Sequence, residues 1–330
     1  MKNVSFFPWA KSSSALGYGT TSFMSVGSTA ERLALLDCAF DNGITHFDTA
    51  PLYGLGESER LLGQFLEGKR DRVTVTTKFG IEPSGAAKVR WVNLLARRVF
   101  AVAPFTKRLL KLRPPSQDSN WGIFDPAKAK ESLERSLRSL RTDYVDLFLL
   151  HEPSPSDAAS EALIEFLEEE VQRGRIRAYG CGGEGDTIEA IARESGPASG
   201  WLQFEDNAIN RRLDKLSLSS KRYITFAPFN SALETLRDWF SRNPKECRTW
   251  SDALQMDCSS AGELAAILQA TSHHRNKCGI LLFSSSNWER IAQACQVAGG
   301  QRFSDEQIAE FLSLTNQFRV DVCLQSAVSC

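Results

Sequence analysis

The chain has 330 residues, a length that fits one large α/β barrel or two ordinary domains. Hydrophobic residues make up 42% and charged residues 24%, and the formal net charge is −1, so composition gives no electrostatic case for a nucleic-acid partner or a membrane surface. The opening MKNVSFFPWAKSSS lacks the apolar core of a signal peptide, no stretch approaches the roughly 20 apolar residues of a membrane span, and the eight cysteines are scattered without a CxxC pair. A cytoplasmic protein with reduced thiols is expected, and Cys330, as the last residue, does not make a prenylation motif.

Short β-branched or apolar runs alternate with helical patterns along the chain. ALGYGT (15–20) is the first candidate strand. Ser28 and Glu31 have the spacing of a capping box, and Gly43 stands where the helix they open should stop. THFDTA (45–50) and VTVTTKFG (73–80) are the second and third strands, followed by a long segment, 81–124. Asp125 and Pro126 read as a helix N-cap and first helical residue ahead of the fourth strand, YVDLFLLHEP (144–153). A helix from near Ala159 closes at Gly174, and RIRAYGCGG (175–183), WLQFED (201–206) and YITFAPF (223–229) give strands five to seven. Residues 230–277 are expected to hold two helices, with His273 and His274 in a polar loop, before the eighth strand, CGILLFSSS (278–286). Eight β-then-α units predict a (β/α)8 TIM barrel, in one domain over 1–330, with long insertions after strands three and seven at about 81–124 and 230–277. A doubly wound sheet is disfavoured because GYGTTS lacks the third glycine of a dinucleotide fingerprint.

Polar residues recur where these strands end. Asp48 ends the second, Lys78 the third and His151 the fourth, while Tyr53 lies just past the second. A barrel gathers such carboxyl-terminal ends around one mouth. A free tyrosine has a pKa near ~10, and a neighbouring ammonium favours its phenolate. Lys78 can supply that ammonium, Asp48 can hold it charged, and His151 can bond the same substrate oxygen. A phenol set up in this way can protonate a carbonyl oxygen as hydride reaches the carbon. Singly, each residue has a plainer reading as a turn, cap or core side chain; their joint placement carries the argument. His46 reads as a strand residue, and the four histidines lack zinc-ligand spacing with cysteine, so no metal is expected.

GITHFDTAPLYG, TTKFG and DLFLLHEP, in this order and on these strands, resemble the motifs of the aldo-keto reductase superfamily over nearly the whole chain. The resemblance implies a nicotinamide-binding barrel that reduces aldehydes or ketones without metal, with Asp48, Tyr53, Lys78 and His151 as catalytic tetrad. It assigns Gln203 to the nicotinamide carboxamide and Phe226, where a tyrosine is usual, to stacking on the ring. Gly182 and Gly183 stand where Ser-Asn is common, removing side-chain hydrogen bonds worth roughly 0.5–1.5 kcal/mol each, while glycine lets backbone approach a ligand closely. Gly19 and Thr20, at the end of the first strand, are also assigned to the cofactor. A helix from near Asn287 would offer backbone N–H groups to a phosphate, with Ser285 and Arg290 at a 2′-phosphate. Ser284 replaces the usual lysine and Ala294 the usual asparagine. NADP(H) is therefore favoured through Arg290, with NAD(H) as the alternative.

Residues 83–117 hold eight Lys or Arg and no Asp or Glu. Three readings stand: a lid attractive to anionic carbonyls, an amphipathic surface helix, or an excursion packed on the barrel with solvated charges. Trp121, at its end, is a candidate for the substrate pocket. The expected partner is a small-molecule carbonyl, with no nucleic acid and no membrane span; the oligomeric state is left open. A non-catalytic, regulatory nicotinamide-binding subunit on the same fold is the competing class.

Overall fold

A computed structural model describes residues 1–6, 12–25, 27–82, 122–194, 196–216, 221–300 and 302–328. Its eight parallel strands are β1 (Leu16–Gly19), β2 (His46–Asp48), β3 (Thr74–Phe79), β4 (Leu147–His151), β5 (Tyr179–Gly183), β6 (Trp201–Glu205), β7 (Arg222–Phe226) and β8 (Ile280–Phe283). Each pairs with its sequence neighbour, and β8 pairs with β1, closing the expected (β/α)8 barrel. All eight predicted strands form, each shorter than its run of apolar residues. The seventh, for example, ends at Phe226 because Ala227 takes a left-handed φ of 59°.

Among the described residues ten helices follow the strands: α1 (Thr29–Asp41), α2 (Glu57–Phe65), α3 (Pro126–Leu140), α4 (Glu161–Gln172), α5 (Gly185–Glu194), α6 (Asn230–Arg242), α7 (Pro244–Leu254), α8 (Ala261–Arg275), α9 (Trp288–Ala298) and α10 (Asp305–Val328), apart from one-turn pieces. The Ser28–Glu31 capping box opens α1, and Asp125 caps α3 with Pro126 in its first turn. Two expectations need correction. The helix placed near Ala159 begins at Glu161, after a separate turn, Pro155–Ala158, with its own Ser154–Asp157 capping box. Residues 230–277 hold three helices rather than two, because Pro244 ends α6 at Asn243 and starts α7. His273 and His274 consequently lie in the last turn of α8, not in a loop. These helices have their own core, in which Phe240, Trp250, Leu254 and Ile267 pack with Phe311 and Phe318 of α10.

Side-chain alternation along the strands sets what faces the barrel axis. On β4, Phe148 and Leu150 join the outer core under the helices, while Leu147 and Leu149 join a separate inner cluster with Ile224, Ile280 and Leu282. Val4 and Phe6 belong to this inner cluster too, next to the short antiparallel ribbon of Asn3–Val4 with Ser13–Ser14. The Phe6 ring meets Trp201 edge-on at 5.0 Å. The ribbon thus lays an apolar floor across the amino-terminal end, and residues two positions further along each strand face the opposite mouth. The basic segment 83–117 and Trp121 lie outside the described residues. Among the described residues no helix is long and apolar enough to cross a membrane.

Gly63 marks the tightest helix contact. A β-carbon there would stand 2.3 Å from the Ser139 carbonyl oxygen of α3, which is backbone and cannot swing aside. Gly63→Ala should lower stability by about 1–3 kcal/mol, the range for overpacking, read as a fall in the urea midpoint at unchanged slope.

Candidate active site

The site begins at the end of β2. The chain leaves the strand at Asp48 and turns back through a short 3-10 segment, Tyr53–Gly56. Gly54, Leu55 and Gly56 take φ values of 59°, 58° and 93°, three left-handed residues in succession. Such backbone suits the two glycines but strains Leu55, and the sharp bend sets Tyr53 beside the mouth before α2 starts.

Lys78 belongs to the inward face of β3 and is 2% exposed. Its ammonium has three hydrogens and finds three oxygens: Asp48 Oδ1 at 2.6 Å, the Thr49 carbonyl at 3.1 Å and the Tyr53 hydroxyl at 3.4 Å. Burial works against the charge, but the carboxylate and the phenol outweigh it, so the Lys78 pKa is raised and the amine stays protonated. The second carboxylate oxygen of Asp48 accepts from Gln203 Nε2 at 2.7 Å. Across the mouth, the His151 ring meets the Tyr53 ring edge-on, centroids 6.1 Å apart. The His151 side chain is largely buried at the mouth; burial, and then the Lys78 charge, push its pKa down to about 3. Near neutral pH the cluster therefore comprises an ion pair of zero net charge, a phenol and a neutral imidazole. A carbonyl oxygen placed between Tyr53 and His151 can accept from a hydroxyl and a ring N–H at once.

The sequence-predicted cofactor residues surround this cluster unevenly. Gly19 is buried, and a β-carbon there would only touch its neighbours, 3.8 and 3.9 Å away at Phe283 O and Ser284 Cβ. The Thr20 hydroxyl is turned inward, donating to Asp48 O at 3.2 Å and bonding Thr49 Oγ1 at 3.1 Å. It ties β1 to β2. Ser284 Oγ donates to Gly19 O at 2.7 Å and lies 2.5 Å from Ser22 Oγ. Ser285 is buried, its hydroxyl accepting from Asn287 N at 3.1 Å. Asn287 caps α9 by accepting from Arg290 N, and the Arg290 side chain is exposed in the first turn. Phe226, half-buried, ends β7 in register with Leu282.

Sequence reasoning missed two contributors. The Thr49 carbonyl completes the Lys78 shell, but a backbone acceptor leaves no residue-type signal. Glu152 follows His151 with a φ of 59°, and its Oε2 accepts from Glu184 N at 2.8 Å. A β-carbon on Gly183 would stand 2.5 Å from that oxygen, so the second glycine is what lets the carboxylate lie over the end of β5. The acid is plain in the HEP triplet; its left-handed turn is not.

With this geometry in place, comparison with known proteins is decisive. The profile described as "Aldo/keto reductase family" matches residues 15–316. The chain belongs to the aldo/keto reductase family. An uncharacterised oxidoreductase of Bacillus subtilis, YqkF, is 26% identical over 314 residues, covering 89% of this chain and 91% of its own. A D-threo-aldose 1-dehydrogenase of a Pseudomonas species is 30% identical over 231 residues, 66% of this chain and 67% of that one. Among solved structures, an aldo-keto reductase of Bacillus halodurans in its holo form superposes with a TM-score of 0.68 at 20% identity over 96% of both chains. An aldo-keto reductase of Klebsiella pneumoniae in complex with NADPH superposes at 0.65, again at 20% identity, over 96% of this chain and 95% of that one. As an aldo/keto reductase the protein is an NAD(P)-dependent oxidoreductase, working between a small-molecule carbonyl and its alcohol.

The depressed histidines give a pH prediction. Like His151, His46 is held near 3, by burial and then by Lys78. Unfolded histidine titrates near ~6.5, so between those values the unfolded chain binds more protons, and stability present above pH ~6.5 is lost as pH falls toward 3. Imidazole NMR should show both rings neutral at pH 5, and His46→Gln should make the acid loss of stability shallower.

Proposed function

We propose that the protein is a single-domain, cytoplasmic carbonyl reductase or alcohol dehydrogenase whose proton donor is Tyr53, with NADP(H) favoured over NAD(H). The observation that carries this reading is the buried Lys78 ammonium, 2.6 Å from the Asp48 carboxylate and 3.4 Å from the Tyr53 hydroxyl at the mouth of the barrel. The cofactor, when bound, supplies the hydride. Tyr53 gives its proton to the carbonyl oxygen, and Lys78 stabilises the phenolate left behind. Asp48 keeps the ammonium charged and aimed, while the neutral His151 ring orients the same oxygen with an N–H. In the oxidising direction the roles reverse, and the phenolate beside Lys78 takes the alcohol proton.

Arg290, exposed on the first turn of α9, is the residue for a 2′-phosphate, with Ser285 beside it. Gly182 and Gly183 would approach the cofactor through backbone, and Phe226 through its ring. Thr20 and Ser284 act indirectly, by fixing the backbone under it. The intact proton-donor cluster supports an enzyme over a regulatory subunit, because binding alone requires no ammonium beside a phenol.

Two measurements test the reading. Tyr53→Phe should lower turnover by roughly 10²–10⁴-fold, the usual contribution of a general acid, while nicotinamide binding is retained. Full activity in that variant would remove Tyr53 from the chemistry. Titration by nicotinamide fluorescence should show NADPH binding more tightly than NADH, and Arg290→Ala should weaken NADPH by about tenfold or more, as loss of a charge-assisted bond predicts. Equal affinities in the native protein would assign it to NAD(H).

A further inference from the structure

Gln203 sits on the inward face of β6, 3% exposed, in register with Gly182 on one side and Ile224 on the other. In the strand order β6 and β2 are four apart among eight, opposite each other across the barrel. The 2.7 Å bond from Gln203 Nε2 to Asp48 Oδ2 therefore spans the barrel interior. It fixes the carboxylate oxygen that Lys78 does not use, since Lys78 takes Oδ1. The span depends on a small neighbour. A β-carbon on Gly182 would stand 3.0 Å from Gln203 Oε1 and 3.4 Å from Gln203 Cβ, crowding the side chain.

We propose that Gln203 is a positioning residue for proton transfer, locking Asp48 by one oxygen so that the other stays on Lys78, and that Gly182 is the small residue which permits this reach. The inference rests on the role proposed for Tyr53 and Lys78. A carboxylate anchored by two donors on separate oxygens cannot rotate without breaking one bond, so the direction of the ammonium is set by a strand on the far side of the barrel. The amide keeps a second N–H and its oxygen, so contact with a nicotinamide through those atoms is compatible with this role.

Removing a donor from a carboxylate disfavours its charged form, so Asp48 takes up a proton at a higher pH once Gln203 is lost. Gln203→Met in the full chain should lower kcat on the order of tenfold, as loss of a hydrogen bond to a charged group predicts, and shift the acid limb of the kcat/KM profile upward. NADPH affinity, read by nicotinamide fluorescence, reports separately on any contact the amide makes with the cofactor. Gln203→Glu should behave in a way that no cavity can imitate. At low pH its protonated carboxyl donates to Asp48 as the amide does; ionised, it repels Asp48, so activity should survive in acid and fail as pH rises. Gly182→Ala, which presses on Gln203 without removing it, should move the acid limb in the same direction by a smaller amount. If Gln203→Met does not fold, the other two variants carry the test.

A Gln203→Met variant with the native acid limb and weakened NADPH binding would overturn the proposal and make the glutamine a cofactor ligand only. A carboxyl 13C titration of Asp48, compared between native protein and variant, reads the same effect without turnover. An unchanged Asp48 titration would overturn the positioning role even if Tyr53→Phe upholds the carbonyl chemistry. A shifted titration with fully active Tyr53→Phe would overturn the role in proton transfer together with the proton-donor reading, leaving Gln203 as an anchor of Asp48 alone.

Discussion

The site depends on one buried cation. An ammonium taken out of water is costly unless each of its hydrogens is met and its charge balanced, and Lys78 meets both conditions with Asp48 Oδ1, the Thr49 carbonyl and the Tyr53 hydroxyl. Removing any of these partners leaves an unsatisfied charge in the barrel, which is why the geometry of a catalytic group and the stability of the fold are joined here. The barrel supplies what a loop-built site cannot: β2 and β3 are adjacent and in register, with Asp48 opposite Thr76, so the Lys78 chain has only to extend past the end of β2.

The neutrality of the surroundings matters as much as the pair. His46 lies below Lys78 in the barrel, its Nδ1 3.0 Å from Thr74 Oγ1, and His151 stands above, beside Tyr53. Both imidazoles are kept uncharged by burial and by the same ammonium. A second cation in this space would compete with Lys78 for Asp48. Strand alternation thus places a charged layer between neutral ones, and the phenol faces a single positive charge.

Much of this was legible in the sequence because barrel geometry and side-chain alternation are rules about positions. Asp48, Lys78 and His151 end consecutive strands, so their convergence followed from the fold, and the capping pairs at Ser28–Glu31 and Asp125–Pro126 located helix starts by local chemistry. What escaped depends on backbone angles or on long-range contacts. The left-handed Glu152 and Leu55 are not glycines and carry no such signal. The hydroxyls of Thr20 and Ser284 bond neighbouring strand ends, contacts that residue type alone does not announce. The reach of Gln203 across the barrel joins residues 155 positions apart and follows from no periodicity. The third helix in 230–277 was announced by Pro244, whose place inside an otherwise helical stretch was a boundary signal.

The apolar floor has a consequence for proton traffic. Val4 and Phe6, with Leu147, Leu149, Ile224 and Ile280, seal the amino-terminal end of the barrel with groups that neither donate nor accept hydrogen bonds. Above that floor Ser13, Thr74, His46 and Thr76 are hydrogen-bonded to one another below Lys78, while Tyr53 stands half-buried at the mouth. The phenol thus meets solvent at the same opening by which a carbonyl would arrive and an alcohol depart. Recharging the acid and exchanging the substrate can then be successive uses of one passage, so the place of Tyr53 at the mouth lets the proton cycle and the ligand cycle share a gate.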